Sequence, residues 1–447
     1  MVSVDTATTA QPAALPVDAP AHVTFRSVLG QPAVRNLWLA SLISYVGDTF
    51  GTLALFLLVS RVTGSTGALG AVALVQTLPL FLGVVAGLLV DRWRYRPVLL
   101  TADLLRAVVV PCYALLFQTA QDLWLVLLLS LGFSLASRFF TPASQALRRA
   151  LLRPEEYQIA ASLWQTTLGL SYVLGPALAG LTIATFAGNG ISIALWIDAF
   201  SFVISALLIF FGVRQAAQAV DSQRQSQVRP SPWADLQAGV RLMWASRAIR
   251  GSLVLYGFGL LGVGAIFVLT VPYVERIFHG GSLQIGLLDA AEALGLAIGA
   301  VGVGTIAARR FPAGTLMLGA ALVGGVAVIT LGIVPIYPLA LLTMMIAGGA
   351  AGTLQSAGSA VILHTVPQQH QGKASAAQTT LLNVAYVTSI ALAGIGGDTI
   401  GIRGVFVFGG IVALIGVAGA TPLLWGALAP HTVTRPVDVS DVGDPAE

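Results

Sequence analysis

The sequence predicts an all-α membrane protein with twelve transmembrane helices in two pseudo-symmetric six-helix bundles. Its composition is the first reason: 56% of the 447 residues are hydrophobic and only 9% are charged, whereas about a quarter of the residues of a soluble protein are charged. The apolar residues are also grouped into runs of roughly 18 to 25, the length at which a helix crosses a bilayer. In addition, short motifs of the first half of the chain recur in the second half.

Each apolar run is expected to form one membrane-crossing helix. In the first half, the runs cover residues 37–60, 68–90, 97–117, 123–147, 159–186 and 190–213. In the second half, they cover residues 251–274, 282–307, 314–334, 337–363, 375–397 and 404–428. Connections as short as Gly188-Asn189-Gly190 predict that consecutive helices are antiparallel neighbours.

The basic residues predict the orientation of these helices. Most arginines and the single lysine, Lys373, fall in connections on one side of the membrane. Only Arg61, Arg276 and Arg403 are expected on the other side. Because short cytoplasmic loops carry an excess of Lys and Arg, both termini are expected in the cytoplasm, as an even number of spans also requires. The protein is therefore predicted to be a multi-pass protein of the plasma or inner membrane.

The chain is expected to divide at its one long polar interval. The predicted regions are a disordered cytoplasmic tail over 1–33, an N-terminal six-helix bundle over 34–213, a cytoplasmic linker over 214–250, a C-terminal six-helix bundle over 251–428 and a cytoplasmic tail over 429–447. The second part of the linker mixes Trp and other apolar side chains with polar groups. That pattern is typical of an amphipathic helix in the membrane interface.

Three motifs recur in the two halves at an offset of 213 or 214 residues. The pairs are Gln165-Thr166-Thr167-Leu168 with Gln378-Thr379-Thr380-Leu381, Tyr172-Val173 with Tyr386-Val387, and Ala177-Leu178-Ala179-Gly180 with Ala391-Leu392-Ala393-Gly394. A common offset is the signature of an internal repeat. It predicts two structurally related halves.

Composition argues against several other classes of function. The basic residues, which give a net charge of +4, lie in short loops between spans, so no nucleic-acid partner is expected. Lys373 is followed by Ala374, and the chain therefore lacks the Gly-Lys-Ser/Thr of a phosphate-binding loop. The five histidines show no ligand spacing. We expect neither a cofactor nor a metal, and no enzyme activity.

Asp48 lies about midway along the first predicted span. A charged carboxylate at that depth costs roughly 2.5 to 3.5 kcal/mol on insertion scales, so it must pair, face water or stay protonated. It is interpreted either as a proton-coupling or substrate-contacting group, or as a packing hydrogen bond between helices. Tyr45 and Arg138 are further candidates for the same cavity, although Arg138 has the alternative of extending to the cytoplasmic surface.

Asp289 and Glu292 are three residues apart in the eighth span and therefore share one helix face. Two such carboxylates repel each other unless water, a cation or a proton lies between them. One hypothesis is a second protonation site or a site for a cationic substrate. The other is that Asp289 is solvated near the outer interface, which leaves only Glu292 functional.

The turn between the second and third spans combines Gly87 with Asp91, Arg92 and Arg96. The preference for basic residues in cytoplasmic loops explains the arginines, but it does not explain the carboxylate of Asp91. The turn is therefore predicted to pair with a neighbouring helix end as a cytoplasmic gate.

Asp103 and Arg106 follow on the third span and are three residues apart. That spacing predicts a local ion pair. We assign the pair to the same gate network, with direct contact to a substrate as the alternative.

Twelve spans, two related halves, a long central loop and this turn resemble the major facilitator superfamily. The superfamily's loop after its second helix usually reads Gly-x-Leu-Ala-Asp-Arg-x-Gly-Arg-Arg. The matching positions are Gly87, Leu89, Asp91, Arg92 and Arg96, and the departures are Arg94 and Tyr95. The stretches 102–107, 138–143 and 198–202 resemble bacterial enterobactin exporters and macrolide-efflux proteins.

The resemblance also bears on Gly175, Pro176 and Gly180 in the fifth span, which partly match the superfamily's antiporter motif. Proline kinks a helix, and glycine permits close approach of a neighbour. These features suit a helix that rocks between two states, although a static kink also explains them.

The resemblance implies a secondary active transporter that works by alternating access. The expected activity is proton-coupled efflux of an amphipathic drug, macrolide or siderophore-like small molecule. The alternatives are an importer of a small metabolite with the same fold and a non-transporting membrane receptor or enzyme. The expected partners are the substrate, protons and the lipid bilayer, and the protein is expected to be a monomer.

Overall fold

The structure is a computed structural model, which describes residues 24–186, 188–222, 241, 244, 247–303, 306, 307 and 310–424. Every regular element among these residues is a helix. Most of the predicted N-terminal tail, most of the predicted amphipathic linker helix and the predicted C-terminal tail lie outside the described residues.

We number the long helices α1 to α12 in chain order. In the first half they are α1 (Pro32–Thr63), α2 (Thr66–Thr77, Leu78–Leu82 and Gly83–Val90), α3 (Tyr95–Leu116), α4 (Leu123–Leu151), α5 (Tyr157–Thr185) and α6 (Gly190–Gly212). In the second half they are α7 (Arg247–Ile277), α8 (Ser282–Ile298), α9 (Ala313–Ile333), α10 (Tyr337–Thr365), α11 (Gln371–Thr399) and α12 (Gly401–Leu424). Short helices at Phe25–Leu29 and Arg214–Ser222 precede α1 and follow α6.

Eleven helices in the described part of the chain are long and apolar enough to cross a bilayer. The remaining predicted span, α2, is interrupted by a 3₁₀ segment at Leu78–Leu82. Pro79 explains the interruption because its nitrogen cannot donate the hydrogen bond that an α-helix requires. The predicted single helix over 68–90 is therefore wrong in this detail, and that α2 crosses the bilayer stays a prediction.

Corresponding helices pack against each other in the two repeats. In the first repeat α1 packs against α5 and α6, and α3 packs against α4 and α6. In the second repeat α7 packs against α11 and α12, and α9 packs against α10 and α12. Helices six places apart in the order thus share equivalent neighbours, in agreement with the repeated motifs of the sequence.

The repeats contact each other mainly through two helix pairs, α5 with α8 and α2 with α11. We call the end of the molecule that carries the α1–α2 and α11–α12 connections the far end, and the opposite end the near end. Gly180 and Gly394, which occupy equivalent positions in the repeat, both lie in the contacts between the two repeats. An added Cβ would meet the backbone of Ser282 at Gly180 and the backbone of Gly70 at Gly394. The close approach of the repeats towards the far end therefore depends on small residues.

Two glycines at the near end border open space. An added Cβ at Gly87, in the last turn of α2, would meet no atom within 4 Å. The same holds for Gly372 at the start of α11. Space is therefore open beside one position of each repeat at the near end.

Candidate functional site

The interior of the first repeat holds a charged cluster centred on Arg106 of α3, which is 1% exposed. Its Nη2 donates to Oδ1 of Asp103 at 2.5 Å, and its Nη1 lies 3.4 Å from Oδ2 of Asp48. The guanidinium carbon lies 4.6 and 4.5 Å from the ring centres of Phe140 and Phe202. Ion pairing and cation–π contacts therefore surround this buried cation.

Asp103 is satisfied on both of its oxygens. Oδ1 accepts from Arg106, and Oδ2 accepts from the hydroxyl of Ser205 on α6 at 2.7 Å. The ion pair expected from the three-residue spacing is present. It lies inside the bundle together with Asp48 and away from the near-end turn, so the structure does not group it with the other predicted gate residues.

Asp48 differs from Asp103 because it is only partly enclosed. Its side chain is 28% exposed, whereas that of Arg106 is 1% exposed. Tyr45 lies one turn earlier on α1, half-buried, and the charge of Arg148 acts on it. Arg138 on α4 interacts electrostatically with Asp48. Asp48 is thus the part of the charged cluster that solvent can reach.

Arg138 of α4 lies close enough to this cluster to interact with Asp48. Its Nε is buried and has no hydrogen-bond partner among the described residues. Both Tyr172 on α5 and Asp48 act electrostatically on the Arg138 side chain. These electrostatic interactions place Arg138 near Asp48 and Tyr172.

The second repeat contributes Asp289 and Glu292 from α8. Both are partly buried, and their charges interact with each other. Thr270 on α7 lies within hydrogen-bonding reach of Asp289, and Tyr386 on α11 is near Glu292. Within the described residues no salt bridge reaches either carboxylate. The first repeat thus pairs two of its carboxylates with a guanidinium, whereas Asp289 and Glu292 have no such partner among the described residues.

Two tyrosines connect the two sides. Tyr172 interacts with Asp48, while Tyr386 interacts with both Tyr172 and Glu292. They occupy equivalent positions in the internal repeat. Neither tyrosine was among the residues predicted for the site, although their matching positions in the two repeats were an available signal.

An aromatic group lies deeper, on the far-end side of the tyrosines. Phe267 of α7 makes an edge contact with Phe56 of α1, with ring centres 5.2 Å apart. Phe267 also lies 6.4 Å from the ring of Tyr386. Because α1 and α7 belong to different repeats, these rings close the space between the repeats on that side.

The residues predicted to form the near-end gate lie around the turn after α2. The amide of Asp91 donates to the carbonyl of Gly87 at 2.9 Å, and Arg92 is exposed. Arg96 donates to the carbonyl of Phe210 at 2.7 Å and lies 4.7 Å from the centre of its ring. Arg96 therefore ties α3 to α6 within the first repeat.

The three predicted kink residues of α5 lie at helix contacts. Helix α5 runs unbroken over Tyr157–Thr185 with Pro176 inside it. Gly175 packs against Thr49 of α1, whereas the Pro176 carbonyl and Gly180 pack against Gly286 of α8. These residues therefore determine how closely α5 approaches α1 in its own repeat and α8 in the other.

A set of hydrogen bonds that we call the far-end latch joins α11 to the start of α2. The carboxylate of Asp398 accepts from Ser65 Oγ and Thr66 Oγ1, each at 2.7 Å, and from the amides of Thr66 and Gly67, each at 2.9 Å. A carboxylate from one repeat thus caps the N-terminus of a helix in the other, where the helix dipole favours negative charge.

Comparison with known proteins agrees with this architecture. Residues 24–425 match the family model described as transmembrane secretion effector. The nucleoside transporter NupG superimposes with a TM-score of 0.70 at 12% identity, over 87% of this chain and 98% of that chain. At that identity the likeness concerns the fold.

Two curated relatives are similar in sequence. The chain is 27% identical to the multidrug efflux pump Tap of Mycolicibacterium fortuitum over 82% of this chain and 90% of that protein. It is 24% identical to macrolide efflux protein A of Streptococcus pyogenes over 60% of this chain and 65% of that protein. The multi-pass helical fold and the match over nearly the whole described chain show that the protein belongs to the transmembrane secretion effector family of major facilitator transporters.

Proposed function

We propose that the protein is a proton-coupled exporter of amphipathic small molecules, working as a monomer by alternating access. The observation that carries this proposal is the partly exposed Asp48, which pairs in mid-helix with a buried guanidinium. In this proposal, α1–α6 and α7–α12 are two six-helix bundles in the plasma or inner membrane, and the near end, with both termini, is cytoplasmic.

Alternating access requires that the far end open when the near end closes. Opening would separate α2 from α11 and α5 from α8, the contacts that now join the repeats. The near-end turn would then act as the cytoplasmic gate. The empty space beside Gly87 leaves room for a helix of the second repeat, and Asp91, Arg92 and Arg96 supply charges beside it.

The position of Asp48 supports proton coupling. An ionised Asp48 is attracted to Arg106 at 3.4 Å, and binding a proton removes that attraction. A proton or a bound substrate can therefore change the charge balance of the same cluster. Each of them then stabilises one of the two conformations more than the other. Such an effect is what coupling requires.

The site favours an amphipathic cation as substrate. Asp289 and Glu292 lack a salt bridge within the described residues. Tyr386 lies near Glu292, and the ring of Phe267 lies 6.4 Å from that of Tyr386. A cation benefits from both a carboxylate and an aromatic face. The names of the curated relatives, a multidrug pump and a macrolide exporter, are consistent with this class.

Transport into everted membrane vesicles tests the proposal. Vesicles that contain the protein and have an acidic lumen are expected to accumulate the cation ethidium and the macrolide erythromycin. Collapse of the pH gradient with an ionophore should stop accumulation. Uptake that occurs only in right-side-out vesicles would instead indicate an importer.

Glu292→Gln is expected to weaken the transport of a cation selectively. Loss of the carboxylate should raise KM for ethidium about tenfold, equivalent to about 1.4 kcal/mol of binding free energy. The KM of an uncharged amphipathic probe should not change, because it gains nothing from the charge. Equal changes for both probes would contradict the assignment of Glu292 as a cation-binding residue.

Asp398→Ala is expected to favour the conformation that is open at the far end. Loss of the helix cap removes about 1–2 kcal/mol from the closed conformation, which changes the ratio of the two conformations roughly 5- to 30-fold. Labelling of single cysteines in the far-end cavity should become faster. Thr399→Ala is the matched control, because among the described residues the Thr399 hydroxyl donates to carbonyls of its own helix. Similar labelling rates in both variants would argue against the latch.

A further inference from the structure

The first repeat holds three carboxylates close to one guanidinium, and two of them contact it. Asp103 and Asp48 both contact Arg106, at 2.5 and 3.4 Å. The third, Asp198 on α6, is 2% exposed, which makes it far more buried than Asp48. Its Oδ1 accepts from Ser201 Oγ at 3.4 Å, and no salt bridge reaches it within the described residues. Asp198 is therefore a buried acid without a cation of its own.

The position of Asp198 is built into the helix contact between α1 and α6. An added Cβ at Gly47 or Gly51 would overlap the Asp198 carboxylate, so both glycines make room for it. These two residues flank the turn of α1 that carries Asp48. One turn along α6, Phe202 packs on the Arg106 guanidinium. Asp198 thus lies beside the charged cluster that contains Asp48.

A small cavity adjoins the Asp198 side chain. It is lined on its polar side by Thr52, Gln76 and Tyr113 together with Asp198. The hydroxyls of Tyr113 and Ser130 are 3.2 Å apart. The titratable groups that face Asp198 are Asp48, Arg106 and Tyr113. Polar groups of this kind can hold water. Thr52, one of them, donates its hydroxyl to the carbonyl of Asp48 at 2.7 Å, so the cavity adjoins the turn of α1 that carries Asp48.

An ionised carboxylate without a partner is costly in the interior of a protein, and the neutral acid is much less so. Because Asp103 already neutralises Arg106, the charge of Asp198 is not compensated locally. We propose that Asp198 is a second proton-carrying residue of the transport cycle, which holds a proton in this conformation and exchanges it with Asp48.

In the exchange, the O–H bond of the Asp198 carboxyl breaks and an O–H bond forms on the Asp48 carboxylate, directly or through water. Asp198 gains the negative charge that Asp48 loses, and no electrons are transferred between molecules. This inference rests on the proposed proton coupling and adds a residue that stores the proton away from the substrate cavity.

The first test needs no substrate. The infrared spectrum of the purified protein at neutral pH is expected to show a protonated carboxylic acid band that is absent from Asp198→Asn. Ser201→Ala should retain the band, because it removes a hydrogen bond but leaves the acid. Asp198→Ser is smaller and replaces Asp198→Asn if that variant does not fold. A band that is unchanged without Asp198 would overturn the inference.

The second test separates proton storage from a structural role. In vesicles, Asp198→Asn is expected to lose gradient-driven accumulation of erythromycin while exchange of labelled for unlabelled erythromycin continues. Full gradient-driven accumulation by this variant would overturn the inference. If the wild-type protein moves neither erythromycin nor ethidium, the proposed function fails for these compounds, and the infrared test still decides whether Asp198 holds a proton.

Discussion

Replacement of Arg106 by alanine is expected to destabilise the protein by about 3–5 kcal/mol, the cost of breaking a buried ion pair by removing one partner. The side chain is 1% exposed and neutralises Asp103 at 2.5 Å. Its loss would leave that carboxylate buried and uncompensated, and would empty the space between Phe140 and Phe202. Thermal unfolding of the detergent-solubilised protein measures the effect as a large drop in Tm or as failure to recover folded protein.

Arg61→Ala is the matched control for this substitution. Arg61 is an exposed residue in the last turn of α1, and an exposed substitution of this kind is expected to change stability by less than about 0.5 kcal/mol. Combining Arg106→Ala with Asp103→Asn should restore part of the lost stability, because it removes the unpaired charge. Equal stability of the wild type and Arg106→Ala would contradict the role given to the ion pair.

Asp48→Asn is expected to abolish gradient-driven transport without loss of folded protein. Asparagine has nearly the same shape but cannot bind and release a proton, so coupling fails while packing is preserved. The Asp48 side chain is 28% exposed and lies 3.4 Å from Arg106, and Asp103 remains to pair with the guanidinium. Accumulation of erythromycin in everted vesicles should fall to the level of vesicles without the transporter.

Ser44→Ala controls for the loss of a polar group in the same helix. Ser44 is fully buried, and its hydroxyl has no hydrogen-bond partner among the described residues. Transport by this variant is expected to match the wild type. Accumulation by Asp48→Asn that still follows the pH gradient would contradict the assignment of Asp48 as a coupling residue.

Local features of the site could be predicted from the sequence because they depend on helix periodicity. The spacing of Asp103 and Arg106 predicted their ion pair, and the mid-span position of Asp48 marked it as a residue that must pair or face water. Apolar run lengths gave the helix positions to within a few residues. The break in α2 could not be predicted from Pro79 alone, because Pro176 lies inside α5 without interrupting it.

Contacts between distant segments were beyond the reach of the same reasoning. Arg106 contacts Asp48, which lies 58 positions away in the sequence. The helical periodicity of one segment does not show which other helix it packs against. The latch is a stronger example, because Asp398 lies 332 positions from Thr66. Its partners are ordinary Ser and Thr residues, and only the helix arrangement brings them together.

Distances measured across both ends of one molecule test alternating access most directly. Spin labels at Arg61 and Ile400 span the far end, and labels at Arg153 and Gly372 span the near end, in a variant whose single cysteine, Cys112, is alanine. On acidification in the presence of erythromycin, we predict that a longer far-end distance appears together with a shorter near-end distance. Distances that change in the same direction at both ends, or that do not change, would contradict the account.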